Sequence, residues 1–332
     1  MDAQLKLLRH ADRVAGIREG RLRPPVMVDV DPVDGTCNLD CEWCCQAASR
    51  ASRPARFMTA ATMEGLGRFC AEWGVESWRI SGDGEPTLNK DLSELIRSGT
   101  SNGIDVGLIT NGLLLDRVDR DALARLTYLG VSLDAATPKT WSRLKRSDPE
   151  NFQRILRNLA TARASAPDLD ISIKYLRWRH DTHLSKREFV RGDLPVIDGE
   201  AIEDTDTLCD IERLEAPAAE LGVRTIVKDA FPRGMPASYG FGTCHATPLG
   251  GVFDASHRFH LCCDARNVYV LTDDYTRDDW SELKSLWGGA RHLELIRSIT
   301  PASCVGCAKH RINRTLEEIV IDPDPRQQVN FI

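Results

Sequence analysis

The chain has 332 residues, of which 42% are hydrophobic and 28% charged, and its formal net charge at pH 7 is −6. This length exceeds that of a usual single domain, so we expect one large domain and a smaller one. The acidic balance excludes binding to nucleic acid or anionic membrane through bulk charge. The N-terminal segment lacks the apolar core of a secretory signal, and no apolar run reaches membrane-spanning length, which predicts a cytoplasmic protein.

Apolar β-branched runs alternate with amphipathic stretches from about residue 25 to residue 230. This alternation is typical of repeated βα units around a parallel sheet. The predicted strands are 26–30, 77–81, 105–110, 128–133, 171–176 and 223–227. The predicted helices are 59–73, 90–101, 116–126, 149–165 and 206–221. Six such strands predict an α/β fold, a partial (β/α)6 TIM-like barrel, whose chemistry lies on the loops after the strands.

A different pattern begins after residue 230 with the Gly- and Pro-rich segment 231–243. It contains strand-like runs at 249–253 and 258–262, a helix predicted over 279–298, a Cys-x-x-Cys pair and a last helix from about residue 311. Because this region has little apolar material, we expect a metal cluster to hold it together. The predicted domains are an N-terminal extension (1–24), the barrel (25–230) and a small α+β domain (231–332).

Eleven cysteines are many for a cytoplasmic chain, where disulfides are rare and metal binding or catalysis explains thiols better. Four cysteines lie within 37–45 and five within 244–307. Cys70 and Cys209 lie alone inside helix-like patterns and are predicted to be plain buried thiols. The two groups therefore carry the functional information.

The first group places Cys37, Cys41 and Cys44 after the first strand in the spacing C-x3-C-x2-C. Three thiolates on one loop can hold a four-iron cluster and leave one iron open to the amino and carboxylate groups of a cosubstrate. Because Cys45 follows directly, the third ligand is either Cys44 or Cys45. This spacing, its position and the neighbouring Trp43 resemble the radical S-adenosylmethionine (SAM) superfamily; a zinc knuckle or buried thiols are the alternative.

The sequence SGDGEP at 81–86 follows the second strand and resembles the GGEP motif with which this superfamily binds the methionine amino group of SAM. Glycines let the backbone approach a ligand closely. The resemblance implies SAM cleavage to a 5′-deoxyadenosyl radical, with electrons from a reducing partner such as flavodoxin or ferredoxin. The implied cofactor-binding residues are Trp43, Gly82, Asp83, Gly84, Glu85, Thr110, Asn111, Ser132, Asp134, and Lys174 or Arg177, although any strand-end polar group can equally be structural.

The second group includes Cys244, Cys262, Cys304 and Cys307, which can supply the four thiolates of a closed four-iron cluster. Their arrangement resembles the twitch domain, a shortened relative of the SPASM domain, in dehydrogenases and epimerases of aminoglycoside and aminocyclitol biosynthesis. The expected cofactors are therefore two [4Fe-4S] clusters and SAM. A structural zinc ion on the same four thiolates is the alternative.

Cys263 directly follows Cys262, and neighbouring side chains on an extended strand point to opposite faces. Cys263 is therefore a candidate to face the active site and, if the enzyme is an epimerase, to donate a hydrogen atom; simple packing is the alternative. Arg233 and Asp264 are candidate catalytic groups that orient or deprotonate a substrate hydroxyl, unless they are solvated loop residues. The long segment 177–206 is predicted to cover the substrate.

The resemblance implies a sugar-like small-molecule substrate, because the segment before the first strand is too short for a peptide-recognition domain. The expected reaction abstracts a carbinol hydrogen atom and oxidises the alcohol to a ketone, with the second cluster as electron acceptor. The alternative is epimerisation with Cys263 as hydrogen-atom donor. Diol dehydration, peptide maturation and a non-catalytic zinc protein are further alternatives, since a fold does not fix the fate of a radical.

Overall fold

A computed structural model describes residues 3–41, 44, 46–51, 53–177, 207–229, 239–304 and 307–323. Several predicted features lie outside the described residues: Trp43, Cys45, Arg233 and nearly all of the segment expected to cover the substrate. The domain boundary predicted near residue 230 also lies there, so it stays a prediction.

The strands of the described chain form one large sheet and one small antiparallel pair. They are β1 (Met27–Asp31), β2 (Val33–Asp34), β3 (Arg56–Phe57), β4 (Ser77–Ile80), β5 (Asp105–Thr110), β6 (Tyr128–Ser132), β7 (Asp170–Arg177), β8 (Arg224–Asp229), β9 (Gly250–Asp254), β10 (Phe259–His260) and β11 (Val270–Thr272). The large sheet has the order β11-β10-β9-β1-β4-β5-β6-β7-β8, and β2 pairs with β3.

The sheet is largely parallel, which confirms the predicted α/β fold class. Strand β1 pairs in parallel with β4 on one side, where Val28 faces Trp78, and with β9 on the other, where Val30 faces Phe253. The steps from β4 to β8 are also parallel, whereas β10 and β11 run antiparallel. Each predicted strand has a described counterpart within one or two residues, whereas β2, β3 and β11 were not predicted.

The helices lie mainly between the parallel strands. They are α1 (Ala3–Lys6), α2 (Ala11–Arg18), α3 (Ala47–Ala51), α4 (Ala60–Trp73), α5 (Leu92–Ser101), α6 (Arg120–Arg125), α7 (Pro138–Lys145), α8 (Glu150–Ser165), α9 (Thr207–Glu220), α10 (Ser281–Leu286), α11 (Ala290–Ser298) and α12 (His310–Thr315). Short 3-10 turns occupy Leu7–His10, Pro86–Leu88, Leu115–Arg117, Thr247–Leu249 and Pro301–Ser303, and α12 continues as a π-helix over Leu316–Ile321. None of the helices in the described ranges has the length and apolar character needed to span a membrane.

One face of the sheet packs against the helices and forms the hydrophobic core. Trp78 and Val106 lie on this face, and a Cβ added to Gly99 of α5 would lie only 2.7 Å from either side chain. The alternate residues of the same strands, among them Asp29 and Arg79, point to the opposite face because strand side chains alternate. We call the space on this opposite, inner face of β1 and β4–β8 the lumen. A polar residue that faces the lumen can contact a ligand bound there.

One expectation for the C-terminal region needs correction. The helix predicted over 279–298 is wrong as a single element, because Gly288 has a φ of +76° and separates α10 from α11. Strand β9 of this region joins the edge of the barrel sheet beside β1. The sequence pattern could not show this pairing, since β1 and β9 are more than 200 residues apart.

Candidate functional site

The first cysteine loop follows β2 and holds the half-buried thiols of Cys37, Cys41 and Cys44, none of which forms a disulfide. The backbone N–H of Cys44 donates to the carbonyl of Cys41 at 3.2 Å, which turns the loop back on itself. Arg50 of α3 donates a hydrogen bond to the Cys44 sulfur at 3.1 Å. Burial raises the pKa of the Cys41 thiol to about 11 in the absence of a metal, although the nearby ammonium of Lys145 opposes this effect.

The glycine turn at 81–86 lies directly on this loop. The N–H of Gly84 donates to the carbonyl of Val33 at 3.1 Å, and the N–H of Glu85 donates to the carbonyl of Thr36 at 3.3 Å. A Cβ on Gly84 would lie 2.2 Å from that Thr36 oxygen, so only glycine fits there. The turn and the cysteine loop therefore have a fixed relative position.

Glu85 is buried and anchors the end of β5. Its carboxylate accepts hydrogen bonds from the Thr110 hydroxyl at 2.5 Å, the Asn111 N–H at 2.8 Å and the Thr87 hydroxyl at 2.6 Å. Burial raises the pKa of Glu85 above its ordinary value, and these hydrogen bonds oppose the rise. The Asn111 amide donates to Asn38 of the cysteine loop at 2.7 Å. The structure thus brings Glu85, Thr110 and Asn111 together beside the loop.

Asp134 lies at the end of β6 with a φ of +59°, and both of its carboxylate oxygens have protein partners. One oxygen is 2.5 Å from the ammonium of Lys145, and the other accepts from the Leu176 N–H at 2.9 Å. Lys145 was not among the predicted site residues. Its sequence position offers one signal, because it lies in α7, the helix that follows Asp134. Burial would lower the pKa of Lys145, but the charges of Asp134 and Cys41 outweigh it and hold that pKa above its ordinary value.

The other predicted SAM contacts lie farther along the strands. Ser132 pairs with Lys174 across β6 and β7, and the Lys174 ammonium lies 5.7 Å from the centre of the Tyr128 ring. Arg177 ends β7. By strand register and alternation, Ser132 and Lys174 lie on the lumen face of the sheet. Gly82, with a φ of +147°, packs beside Asp31.

The first loop has the donor chemistry that an iron–sulfur cluster requires. Its three thiols lie close enough together for the charges of Cys37 and Cys44 to raise the pKa of Cys41, after the larger effect of burial. Three thiolates beside a carboxylate-anchored turn fit a cluster with an open iron for SAM. Within the described ranges, no three His, Cys, Asp or Glu side chains are grouped tightly enough to hold a single metal ion.

The second cysteine group surrounds one cavity. Cys244, Cys262, Cys304 and Cys307 all line it, together with Lys309 and apolar side chains. They come from three separate segments of the chain, so the sequence showed their number but not their convergence. Four thiols on one cavity fit a cluster without an open iron.

Hydrogen bonds from neighbouring side chains support this cavity. The Asn313 amide lies 3.6 Å from the Cys244 sulfur, and the Tyr239 hydroxyl donates to the carbonyl of Cys304 at 2.6 Å. Asp264 also lines the cavity, and its carboxylate accepts from the Ala308 N–H at 2.8 Å. Asp264 therefore lies on the side of the four thiols, away from Cys263.

Cys263 does not line that cavity, although it directly follows Cys262. It is 8% exposed, and the charges of Asp29 and Arg79 both act on its thiol. A hydrogen bond with Cys262, then burial, hold the pKa of Cys263 well above its ordinary value. The same hydrogen bond lowers the pKa of Cys262, against the effect of burial.

Charged pairs fill the adjacent part of the lumen. Arg79 binds Asp29 through two hydrogen bonds of 2.5 and 2.7 Å. Arg266, three residues after Cys263, binds Asp31 and also donates a hydrogen bond to the carbonyl of Cys263. Burial tends to raise the pKa of Asp29, but the charge of Arg79 outweighs it and lowers that pKa. Sequence reasoning missed these pairs, because their members are far apart in the chain.

Comparison with known proteins finds a family match in the N-terminal part of the chain. Residues 33–174 match the Radical SAM superfamily. A protein of Pyrobaculum aerophilum named "Probable GTP 3',8-cyclase" is 31% identical over 143 residues, which cover 43% of this chain and 44% of that protein. A protein of the same name from Methanopyrus kandleri is 40% identical over 113 residues, covering 33% of this chain and 35% of that protein. The chain thus spans less than half the length of these two relatives.

The fold also resembles a solved structure over most of the chain. "Crystal structure of Streptococcus suis SuiB bound to precursor peptide SuiA" matches with a TM-score of 0.60 and 15% sequence identity, covering 90% of this chain and 73% of that one. At this identity the likeness concerns the fold alone. It extends beyond residues 33–174 and therefore includes part of the C-terminal region.

Proposed function

From the radical SAM domain over residues 33–174, we propose that this chain is a radical SAM oxidoreductase with a second iron–sulfur cluster in its C-terminal region. The observation that supports this proposal is that Cys244, Cys262, Cys304 and Cys307 line one cavity. A separate set of three thiols lies beside the turn that contains Glu85. A fully ligated second cluster has no open iron, which suits electron transfer rather than substrate binding.

Three cysteines, Cys37, Cys41 and Cys44, would hold the first cluster, and the glycine turn would contact SAM. When bound, the reduced cluster and SAM supply a 5′-deoxyadenosyl radical that abstracts a hydrogen atom from carbon. Arg50 donates to the Cys44 sulfur, and a hydrogen bond of this kind adjusts a cluster's reduction potential. Lys145 adds a buried positive charge next to Cys41.

For the substrate we propose a sugar-like molecule whose carbinol C–H is oxidised to a ketone. The reaction removes one hydrogen atom, one proton and one electron from the carbinol, and the second cluster is the electron acceptor. The lumen supports this choice, because Asp29, Arg79, Tyr128 and Ser172 offer charged and hydroxyl groups to a hydroxyl- or amine-bearing ligand.

The names of the relatives favour a second candidate, the cyclisation of a nucleoside triphosphate such as GTP. After hydrogen-atom abstraction, the substrate radical joins a second position of the same molecule. One electron from the second cluster and one proton from solvent then give a product that is an isomer of its substrate. The cationic side chains Arg79 and Lys174 on the lumen side are compatible with a phosphate group.

The thiol of Cys263 favours a third candidate, epimerisation of a sugar-like molecule. In that reaction Cys263 returns a hydrogen atom to the opposite face of the substrate radical. Its buried thiol next to Arg79 is placed to reach a ligand in the lumen but not to join the four-thiol cavity. Dehydrogenation, by contrast, needs no hydrogen-atom donor.

The first test is the iron and sulfide content, with electron paramagnetic resonance (EPR) spectra, of the anaerobically reconstituted protein. We expect about eight irons in the wild type and about four in a Cys37/Cys41/Cys44→Ala variant. The matched Cys244/Cys262/Cys304/Cys307→Ala variant should also retain about four. About four irons in the wild type and none in the first variant would refute the second cluster.

The second test identifies the reaction by product mass. The reduced enzyme is incubated with SAM and either an aminocyclitol or GTP. A ketone lighter than its substrate by two hydrogen atoms supports dehydrogenation, and an isomer of GTP supports cyclisation. An isomeric cyclitol that carries one deuterium after incubation in heavy water supports epimerisation. If 5′-deoxyadenosine does not form with any substrate or without one, the radical SAM assignment itself fails.

A further inference from the structure

We propose that Arg53 is a positioning residue that ties the glycine turn of the SAM site to the C-terminal region, so that SAM affinity depends on that link. The inference rests on the proposed function only in taking SAM as the ligand of the turn. Arg53 belongs to neither predicted cysteine group, and it follows the first of them by nine residues.

The first half of the link is a buried ion pair within the radical SAM domain. The Asp83 side chain is fully buried, binds the guanidinium of Arg53 and accepts from the Gly35 N–H at 3.1 Å. The other carboxylate oxygen of Asp83 has no hydrogen-bond partner among the described residues. The charge of Arg53 is therefore the main compensation for this buried carboxylate.

The second half of the link reaches the C-terminal region. Arg53 donates to the side-chain oxygen of Asn267 at 2.9 Å and lies 3.9 Å from the carboxylate of Asp254. His260 fixes both acceptors, since its ring accepts from the Asn267 N–H at 3.1 Å and contacts Asp254 at 2.7 Å. Asn267 lies between β10 and β11, five residues after Cys262. The Arg53 side chain thus contacts both the glycine turn and the segment between β10 and β11, which also contains Cys262.

A neighbouring arginine, Arg50, contacts the same turn but connects it to the first cysteine loop instead of the C-terminal region. Arg50 holds the same turn through the carbonyl of Asp83 at 2.9 Å, but its other contact is the Cys44 sulfur. Arg50 therefore joins the turn to the first loop, and Arg53 joins it to the C-terminal region. Without Arg53, the unpaired carboxylate of Asp83 would turn toward water and displace the glycines next to it.

The test measures SAM affinity by titrating SAM into the reconstituted, reduced holoenzyme and following the EPR spectrum of the first cluster. We expect Arg53→Met to weaken SAM binding about tenfold or more and Asn267→Ala about threefold. In the double variant the two effects should not multiply, because both remove the same link. Arg68→Met, which removes an exposed pair with Glu64, is the matched control and should bind SAM as the wild type does.

Conservative replacement distinguishes positioning from general stability. Arg53→Lys keeps the charge and should recover part of the affinity, whereas iron content and both EPR signals without SAM should match the wild type. Wild-type affinity in Arg53→Met, or effects of Arg53→Met and Asn267→Ala that multiply fully, would overturn the inference. If Arg53→Met does not fold, weaker binding in both Arg53→Lys and Asn267→Ala supports the link, and wild-type affinity in Asn267→Ala overturns it. Failure of the wild type to bind SAM would instead refute the proposed function.

Discussion

Cys262 and Cys263 are neighbours in the chain and share a side-chain hydrogen bond, yet only Cys262 lines the four-thiol cavity. Cys263 is buried, and the charges of Asp29 and Arg79 act on its thiol. Both residues follow β10, where the chain bends. A metal site and a substrate site can thus adjoin through a single peptide bond.

The first prediction uses this division. Cys262→Ser should lose the iron of the second site, and Cys263→Ser should retain it, because only Cys262 lines the four-thiol cavity. The measurement is iron content with EPR of both reconstituted variants. Equal iron loss in the two variants would contradict the assignment of the ligands. The turnover of Cys263→Ser then distinguishes the two reactions. A dehydrogenase should stay active in this variant, whereas an epimerase should lose its activity.

The second prediction concerns the charge of Lys309. Its ammonium lies at the four-thiol cavity, 3.5 Å from the carbonyl of Ala246, and its charge acts on Cys262 and Cys244. A nearby positive charge favours the reduced, more negative state of a cluster. Lys309→Met should lower the reduction potential of the second cluster by about 30–60 mV, and Lys309→Arg should restore it. EPR-monitored redox titration measures both.

The control for that titration is Lys284→Met, which removes a surface lysine lying 3.6 Å from Glu72. Its second-cluster potential should equal that of the wild type. An unchanged potential in Lys309→Met would show that the ammonium does not influence the cluster.

The third prediction concerns the buried pair of Lys145 and Asp134, whose side chains are 3% and 8% exposed. Lys145→Met leaves the Asp134 carboxylate buried without its partner, so it should lower the free energy of unfolding by about 3–5 kcal/mol. The double variant Lys145→Met/Asp134→Asn should be more stable than Lys145→Met alone, because no buried charge remains. Urea unfolding of the metal-free proteins measures the differences. Equal stability of the single and double variants would argue against a buried ion pair.

The fourth prediction concerns pH. Burial, then the charge of Asp254, raise the pKa of Asp34 to about 7, while a hydrogen bond from Ser256 and the charge of Arg53 oppose the rise and Asp31 adds to it. The folded state therefore binds this proton more tightly than the unfolded state does. The resulting stabilisation is fully present below the ordinary pKa of 3.8 and is lost as the pH rises through about 7.

Asp34→Asn should accordingly flatten the dependence of the melting temperature on pH between about 4 and 7, where this group costs the wild type stability. Differential scanning calorimetry measures this dependence. Asp168→Asn, at an exposed position, is the control and should follow the wild-type curve. A wild-type slope in Asp34→Asn would show that another group carries the proton.

Much of the barrel was predictable from the sequence because its signals are local. Apolar β-branched runs and amphipathic helices show their periodicity within about ten residues, so β1 and the strands from β4 to β8 lie close to their predicted positions. The helix over 279–298 failed for the same local reason, because the effect of Gly288 on the backbone outweighed the apolar spacing around it.

The sequence by itself determined which chemistry the chain can carry. The spacing of Cys37, Cys41 and Cys44, the SGDGEP turn and the count of C-terminal cysteines are properties of residue type and order. They predicted a radical SAM domain, which the family match supports over residues 33–174. They could not show that β9 extends the barrel sheet, because strand pairing depends on the whole chain.

Only the tertiary structure decided how the sites are connected. Arg53 with Asp83 and Asn267, Arg266 with Asp31, and Lys145 with Asp134 meet across separations that range from 11 to 235 residues. Partners this far apart leave no periodic signal, and each charge finds its counterpart only after the sheet has excluded water around it. Residue order thus set the ligands, and long-range packing set the charges that surround them.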